Sequence, residues 1–203
     1  MSPGKTTYRV YDLLKKQIMD GLKRPGERLD PARLAVELGA STTPVRDALH
    51  QLLGERMVEA WPREGFKVPV PTEAALRDLY AWHGDLVGQL LHGRKSGTRP
   101  PSPLPSADSP ADQTRVLFAV VAQAYGYEEF RHAIGQAQDR LHQARAAEPQ
   151  VFADYFEELH ALTESWSSGR LADLRPQLAR YHRRRHGHVA EIVAKMIACF
   201  PQT

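Results

Sequence analysis

Few residues in this 203-residue chain are spaced for covalent chemistry. His182 and His186 share the i, i+4 face that holds zinc on some helices, within Tyr181-His182-Arg183-Arg184-Arg185-His186-Gly187-His188. The three arginines between them raise the cost of adding a dication. No nearby acidic residue supports the imidazoles, and Gly187 weakens the helix. A solvated basic face or an interface stripe is the simpler reading. His83, His132, His142 and His160 are scattered singly. Glu128/Glu129 and Glu157/Glu158 are adjacent on expected helices, so each pair points in two directions and suits a solvated face. A Gly-rich phosphate loop, a Gly-x-Ser-x-Gly elbow and a Cys–His constellation are all missing, and the chain is read as a non-enzyme without cofactor.

Chemistry suited to recognition is concentrated in Ser41-Thr42-Thr43-Pro44-Val45-Arg46-Asp47-Ala48-Leu49. Ser41 can cap a helix that Pro44 enters in its first turn, where a missing N–H costs little. Val45, Leu49, Leu52 and Leu53 recur at helical spacing and form one buried stripe, leaving Ser41, Thr42, Thr43 and Arg46 outward. An apolar back with a small-polar, cationic N-terminal end is what a helix in the DNA major groove requires.

The flanking elements must hold that helix. Val10, Leu13, Leu14, Gln17 and Ile18 form a first amphipathic helix stopped by Gly21, followed by a turn at residues 23–29. Asp30-Pro31 opens a second helix through Leu34, Ala35 and Leu38, and Gly39-Ala40-Ser41 is the short turn of a helix-turn-helix. Residues 57–61 and 66–70 read as strands around Pro62-Arg63-Glu64-Gly65, a β-hairpin wing carrying Arg63 and Lys67.

This ordered set resembles the GntR family of bacterial transcription regulators. The likeness rests on Tyr11-Asp12-Leu13-Leu14, Pro25-Gly26-Glu27-Arg28-Leu29, Leu34-Ala35, Leu38-Gly39, Thr43-Pro44-Val45-Arg46-Asp47-Ala48-Leu49 and Gly65-Phe66, and spans roughly residues 8–70. It implies DNA contacts from Arg33, Ser41, Thr42, Thr43 and Arg46 on the helices and from Arg63, Gly65 and Lys67 on the wing. One position departs from the family. Thr42 stands where the family usually has an arginine able to grip guanine O6 and N7, so the operator is expected to differ from the common family site.

Beyond residue 71 the pattern is helical: a helix opened by Thr72-Glu73, then 111–125, 128–147, 151–166 and 171–200, with breaks at Gly126, Pro149 and Gly169. Residues 94–110 hold five prolines and read as an extended, flexible linker inside this half. A winged helix before an all-helical bundle resembles the FadR-like branch of the family, whose effector domain is called FCD and often binds a small carboxylate beside a metal. Aligned by apolar pattern, that branch's metal positions fall on Thr114, Phe118, Leu159 and Tyr181, none of them a metal ligand. No metal is therefore expected. If one were bound, His160 and His182 would be its first candidates. His83 replaces an arginine that pairs effector carboxylates in that branch. Residues that could line an effector cavity are Arg115, Tyr127, Arg131, His160 and Tyr181, although core or surface duty explains each as well.

The fold class expected is mainly α: a winged helix-turn-helix (three helices plus a β-hairpin) in 1–71 and an all-α bundle in 72–203. Residues 1–71 hold 12 Lys and Arg against 9 Asp and Glu, whereas the remainder balances at 15 against 15. The whole formal excess of +3 thus lies on the winged helix, a modest excess that supports a nucleic-acid partner. Cys199 is the only cysteine, so an internal disulfide is impossible and a reducing cytoplasmic setting is expected. No apolar run spans a bilayer, and residues 1–5 show no signal-peptide pattern. Two functions fit. One is a dimeric, sequence-specific regulator, read as a repressor, that binds a double-stranded operator under control of a small-molecule effector. The alternative is a ligand-blind DNA-binding or scaffold protein whose bundle only dimerises or holds a protein partner.

Overall fold

Apolar residues one helical turn apart build the first unit around a single stripe. The computed structural model describes residues 3–61, 65–92 and 104–199, in two units, 1–71 and 72–203. Helix α1 (Pro3–Met19) buries Val10, Leu14 and Ile18 with Val45, Ala48, Leu49 and Leu52 of α3 (Thr42–Gly54). Leu49 is fully buried, and such a side chain contributes about 1.5–3 kcal/mol. Helix α2 (Pro31–Glu37) starts at Asp30, whose carboxylate accepts hydrogen bonds from the Ala32 and Arg33 amides at 2.9 and 3.0 Å. Those bonds, the Arg33 amide first, hold the Asp30 carboxyl below its usual pKa.

Polar clamps set the angles of the three helices. Glu55 accepts from Tyr11 at 2.6 Å and pairs with Lys15 at 2.9 Å, tying α1 to the end of α3. The Arg9 guanidinium donates to the Leu38 carbonyl at 3.1 Å, tying α1 to the end of α2. Ser41 has the extended backbone of a helix cap (φ −84°, ψ 168°), but its hydroxyl makes no cap hydrogen bond, so the capping expected of it is not used.

The wing is a three-stranded antiparallel sheet in the order β1–β3–β2, with β1 at Arg28–Leu29, β2 at Glu59–Trp61 and β3 at Gly65–Lys67. Both hairpin strands are shorter than their apolar patterns suggest. Strand β1, expected as turn, pairs Leu29 with Phe66 and Arg28 with Lys67. Two residues are too few to show the period-2 pattern by which strands are recognised.

The second unit is all helix: α4 (Glu73–Leu91), α5 (Pro110–Tyr125), α6 (Glu128–Ala147), a 3-10 turn at Glu148–Gln150, α7 (Tyr155–Ser167), α8 (Leu171–Gly187) and α9 (Val189–Ala198). Thr72 caps α4 by accepting from the Ala75 amide at 3.2 Å, and Ser109 caps α5 by accepting from the Asp112 amide at 3.1 Å. Residues 94–103 of the expected linker lie outside the described residues, residues 104–109 are irregular, and Pro110 is already the first residue of α5. Helix α7 begins four residues later than expected because Glu148-Pro149-Gln150 winds as a 3-10 turn, where proline lacks the N–H for a longer helix. The long last helix is two. After Gly187, His188 takes φ −113°, ψ 22°, and its ring donates back to the Arg184 carbonyl at 2.9 Å, ending the ladder.

Candidate nucleic-acid interface

The outer face of α3 carries the side chains expected to contact DNA. Ser41, Thr42, Thr43 and Arg46 are all exposed, while Val45, Ala48, Leu49 and Leu52 anchor the opposite side. Asp47 and His50, which the sequence reading passed over, share this outer face and are exposed too. Their spacing from Thr43, four and seven residues on, was the signal that places them there. The His50 ring meets Phe66 of β3 edge-on, with centroids 5.1 Å apart, and so joins α3 to the wing. Arg46 makes no hydrogen bond or ion pair among the described residues. A planar five-donor guanidinium left free on such a face can grip a base edge or a phosphate.

The other expected DNA contacts lie on α2 and the wing. Arg33 is exposed on α2. Gly65 opens β3 at φ +98°, a left-handed conformation that suits glycine alone, and pairs with Trp61. Lys67 lies across the sheet from Glu59, pairs with its carboxylate at 3.3 Å, and stands 5.4 Å from the Trp61 ring centroid. Its charge is therefore partly answered within the wing. Arg63 lies outside the described residues. Lys23, by contrast, is spent on structure, pairing with Glu37 at 2.8 Å.

The residues proposed from sequence for an effector cavity are not brought together. Arg115 is exposed and pairs with Asp139 at 3.4 Å. Tyr127 is exposed and packs on Phe130, and Arg131 donates to the Gly126 carbonyl at 2.7 Å at the end of α5. His160 is exposed on α7. Only Tyr181 lies in the interior.

That interior holds a polar cluster which the sequence did not announce. Glu148 is fully buried, accepting from the Tyr80 hydroxyl at 2.6 Å, from Tyr181 at 3.3 Å, and from two nitrogens of buried Arg185 at 3.1 Å each. Arg185 also bonds Glu158 and stacks 3.6 Å from the Tyr181 ring centroid. Burial alone would lower the Arg185 pKa, but Tyr181, Glu148 and Glu158 together raise it. The reading of residues 182–186 as a solvated basic face thus holds for Arg183 and His186 and fails for His182 and Arg185, which turn into the bundle. Helical periodicity carries all five round the helix, and only the neighbouring helices decide which side is wet.

His182 pairs with His83 of α4, not with His160. The Leu178 carbonyl can only accept, so His182 donates to it through Nδ1 at 2.7 Å and receives the His83 Nδ1–H on Nε2 at 2.8 Å. Burial lowers the pKa of both imidazoles, that of His182 to about 4. The positions aligned with the branch's metal ligands are occupied by groups that do not fit a dication. The Thr114 hydroxyl bonds Tyr155, Phe118 packs edge-on against His83, and the buried Arg145 guanidinium stands 5.1 Å from the Phe118 ring centroid. Among the described residues no group of three or more His, Cys, Asp or Glu is placed to hold a metal, and no helix is long and apolar enough to cross a membrane.

Residues 6–68 match the model for bacterial regulatory proteins of the gntR family. Over 72 residues the chain is 34% identical to the HTH-type transcriptional regulator YdhC of Bacillus subtilis, covering 36% of this chain and 32% of that protein. Over 63 residues it is 41% identical to the HTH-type transcriptional regulator McbR of Escherichia coli, covering 31% and 28%. The HTH-type transcriptional repressor GlaR of Escherichia coli matches at 30% over 86 residues, covering 42% and 39%. The chain thus spans about a third of the length of the curated relatives it matches. Whole folds agree further. A structure described as a GntR transcriptional regulator of Rhodococcus sp. RHA1 superposes with a TM-score of 0.74 at 19% identity, covering 91% of this chain and 97% of that one. Escherichia coli McbR/YncC superposes with a TM-score of 0.60 at 19% identity, covering 92% and 97%. At that identity these two show the fold alone, a winged helix-turn-helix followed by a helical unit. Domain match and relatives thus agree that residues 6–68 form a DNA-binding domain of the gntR family of bacterial regulatory proteins.

Proposed function

We propose that this protein is a homodimeric transcription regulator that represses by binding a double-stranded operator sequence-specifically. The observation that carries the reading is the outer face of α3. There an unpaired Arg46 and the small polar side chains of Ser41, Thr42 and Thr43 stand exposed beside a wing bearing Gly65 and Lys67. Arg46 serves as the base reader, Arg33 and Lys67 as phosphate contacts, and Thr42 offers a single hydroxyl where two donors would fix guanine. A lone winged helix covers little groove, so two copies, joined through their helical units, occupy paired half-sites. The helical unit is the sensory half, in which a small-molecule effector changes the half-site spacing.

The filling of the interior by Glu148, Arg185, Arg145 and Phe118 favours a second reading for that half alone, a ligand-blind dimerisation unit. Binding-site selection with the full chain, followed by footprinting and light scattering, tests the DNA-binding reading. Two symmetric half-sites protected by a particle of twice the chain mass are expected. Failure to enrich any sequence, or a monomer protecting one half-site, overturns it.

A further inference from the structure

A groove of about 870 Å3 runs between α4 and α8 on the helical unit, and Tyr80 and His182 of the filled interior form part of its wall. That volume lies in the range of small-molecule sites. Its floor is made of Gly84 and Gly88 of α4 and Leu178 and Ala179 of α8. At Gly84 a methyl group would stand 3.1 Å from the His182 ring, tighter than ordinary van der Waals contact, so glycine eases the close approach of the two helices. At Gly88 nothing lies within 4 Å of the same point, and the groove is open there. The floor is thus aliphatic or bare backbone, while Tyr80, His92, His182 and His186 also line the groove.

The charges sit towards the two ends. Arg175 and Arg183 both line the groove from α8, eight residues and about 12 Å apart along its axis. Nε and Nη2 of Arg175 are buried yet find no hydrogen-bond partner among the described residues. Buried donors left unpaired carry a free-energy penalty that an anion laid against them relieves. Asp85 on the α4 rim is the single carboxylate among the described lining residues, against these two guanidinium groups.

We propose that this groove is the effector site, and that its ligand is an elongated organic dianion whose two carboxylates are separated by an apolar span reaching from Arg175 towards Arg183. The proposal rests on the reading of the helical unit as the sensory half. It differs from a small carboxylate beside a metal, because the two acidic ends are held by guanidinium groups at separate places and the middle of the ligand lies on glycine and leucine. Guanidinium matches carboxylate geometry bidentately, which gives each end its specificity.

Calorimetric titration of the full-length protein with suberate, an eight-carbon dicarboxylate, tests the site, with succinate (too short) and octanoate (one acidic end) as comparisons. Suberate is expected to bind at one per chain, and the other two at least about tenfold more weakly. Arg175→Gln and Arg183→Gln should each reduce suberate to the octanoate level without altering the thermal melt. Gly88→Leu, which fills open space on a helix, should abolish binding while keeping the fold. No heat from suberate at ~1 mM overturns the proposal. So does equal affinity for suberate and octanoate, and so does a change in solution mass caused by the arginine substitutions, which would make the groove a contact between copies. Operator binding measured in parallel separates the two readings: retained DNA binding without suberate binding removes the effector site and leaves the DNA reading intact.

Discussion

Replacing Arg46 by alanine separates a base reader from a general phosphate contact, and the structure sets the size of the effect. Arg46 has no partner among the described residues, so its side chain gives up nothing within the protein when it engages DNA. A bidentate contact to a base edge is worth about 1–3 kcal/mol, or roughly 5- to 150-fold in Kd. Lys67 begins differently. Its ammonium is already paired with Glu59 at 3.3 Å in a half-exposed bridge, and such pairs contribute about 0–1 kcal/mol. Engaging a phosphate therefore first gives up that pair. Lys67→Ala should weaken all sequences nearly equally and reduce the salt slope by about one. Glu59→Gln, which frees Lys67, should strengthen binding to every sequence by up to about 1 kcal/mol. Fluorescence anisotropy on selected operator and scrambled duplexes, at several salt concentrations, reads all three variants. Unchanged operator affinity in Arg46→Ala refutes the recognition-helix assignment. A uniform loss across both duplexes would make Arg46 a phosphate contact, and weaker binding by Glu59→Gln would refute the argument for the wing.

Three further outcomes follow from the same geometry. Glu148→Ala leaves buried Arg185 short of its main carboxylate and should destabilise the helical unit by about 3–5 kcal/mol in urea unfolding followed by circular dichroism; a loss under about 1 kcal/mol contradicts the burial argument. Thr42→Arg adds a second donor at the start of α3 and should shift the selected site towards the operator common in the family, whereas identical selections from both proteins would exclude position 42 as a reader. Burial holds the His182 pKa at about 4 in the folded state against about 6.5 unfolded, so the folded unit binds fewer protons; its stability is complete above about pH 6.5 and falls as pH drops towards 4. Melting temperatures should therefore decline over that window more steeply in the natural protein than in His182→Gln, and parallel curves would contradict the assignment.

The winged helix was legible from sequence because its signals are local. Asp30-Pro31 starts α2, Gly39-Ala40-Ser41 turns the chain, and the spacing of Val45, Leu49 and Leu52 turns α3 so that Arg46 faces outward, each decided within about one or two helical turns. Strand β1 escaped notice because two residues carry no period, and it exists only through pairing with β3. The helical unit shows the limit more sharply. Periodicity placed the helix starts to within about four residues but ran α8 and α9 together, and it could not say that Arg145, Glu148, Arg185, His83 and His182 turn inward together. Charged side chains are ordinarily read as solvated, and only partners brought from α4, α6 and α8, up to 99 residues apart in sequence, make their burial affordable. Residue types along one helix determine which faces are apolar. Which polar face is buried, and which groove stays open between α4 and α8, depends on the close approach that Gly84 permits against His182, a property of two helices and not of either sequence alone.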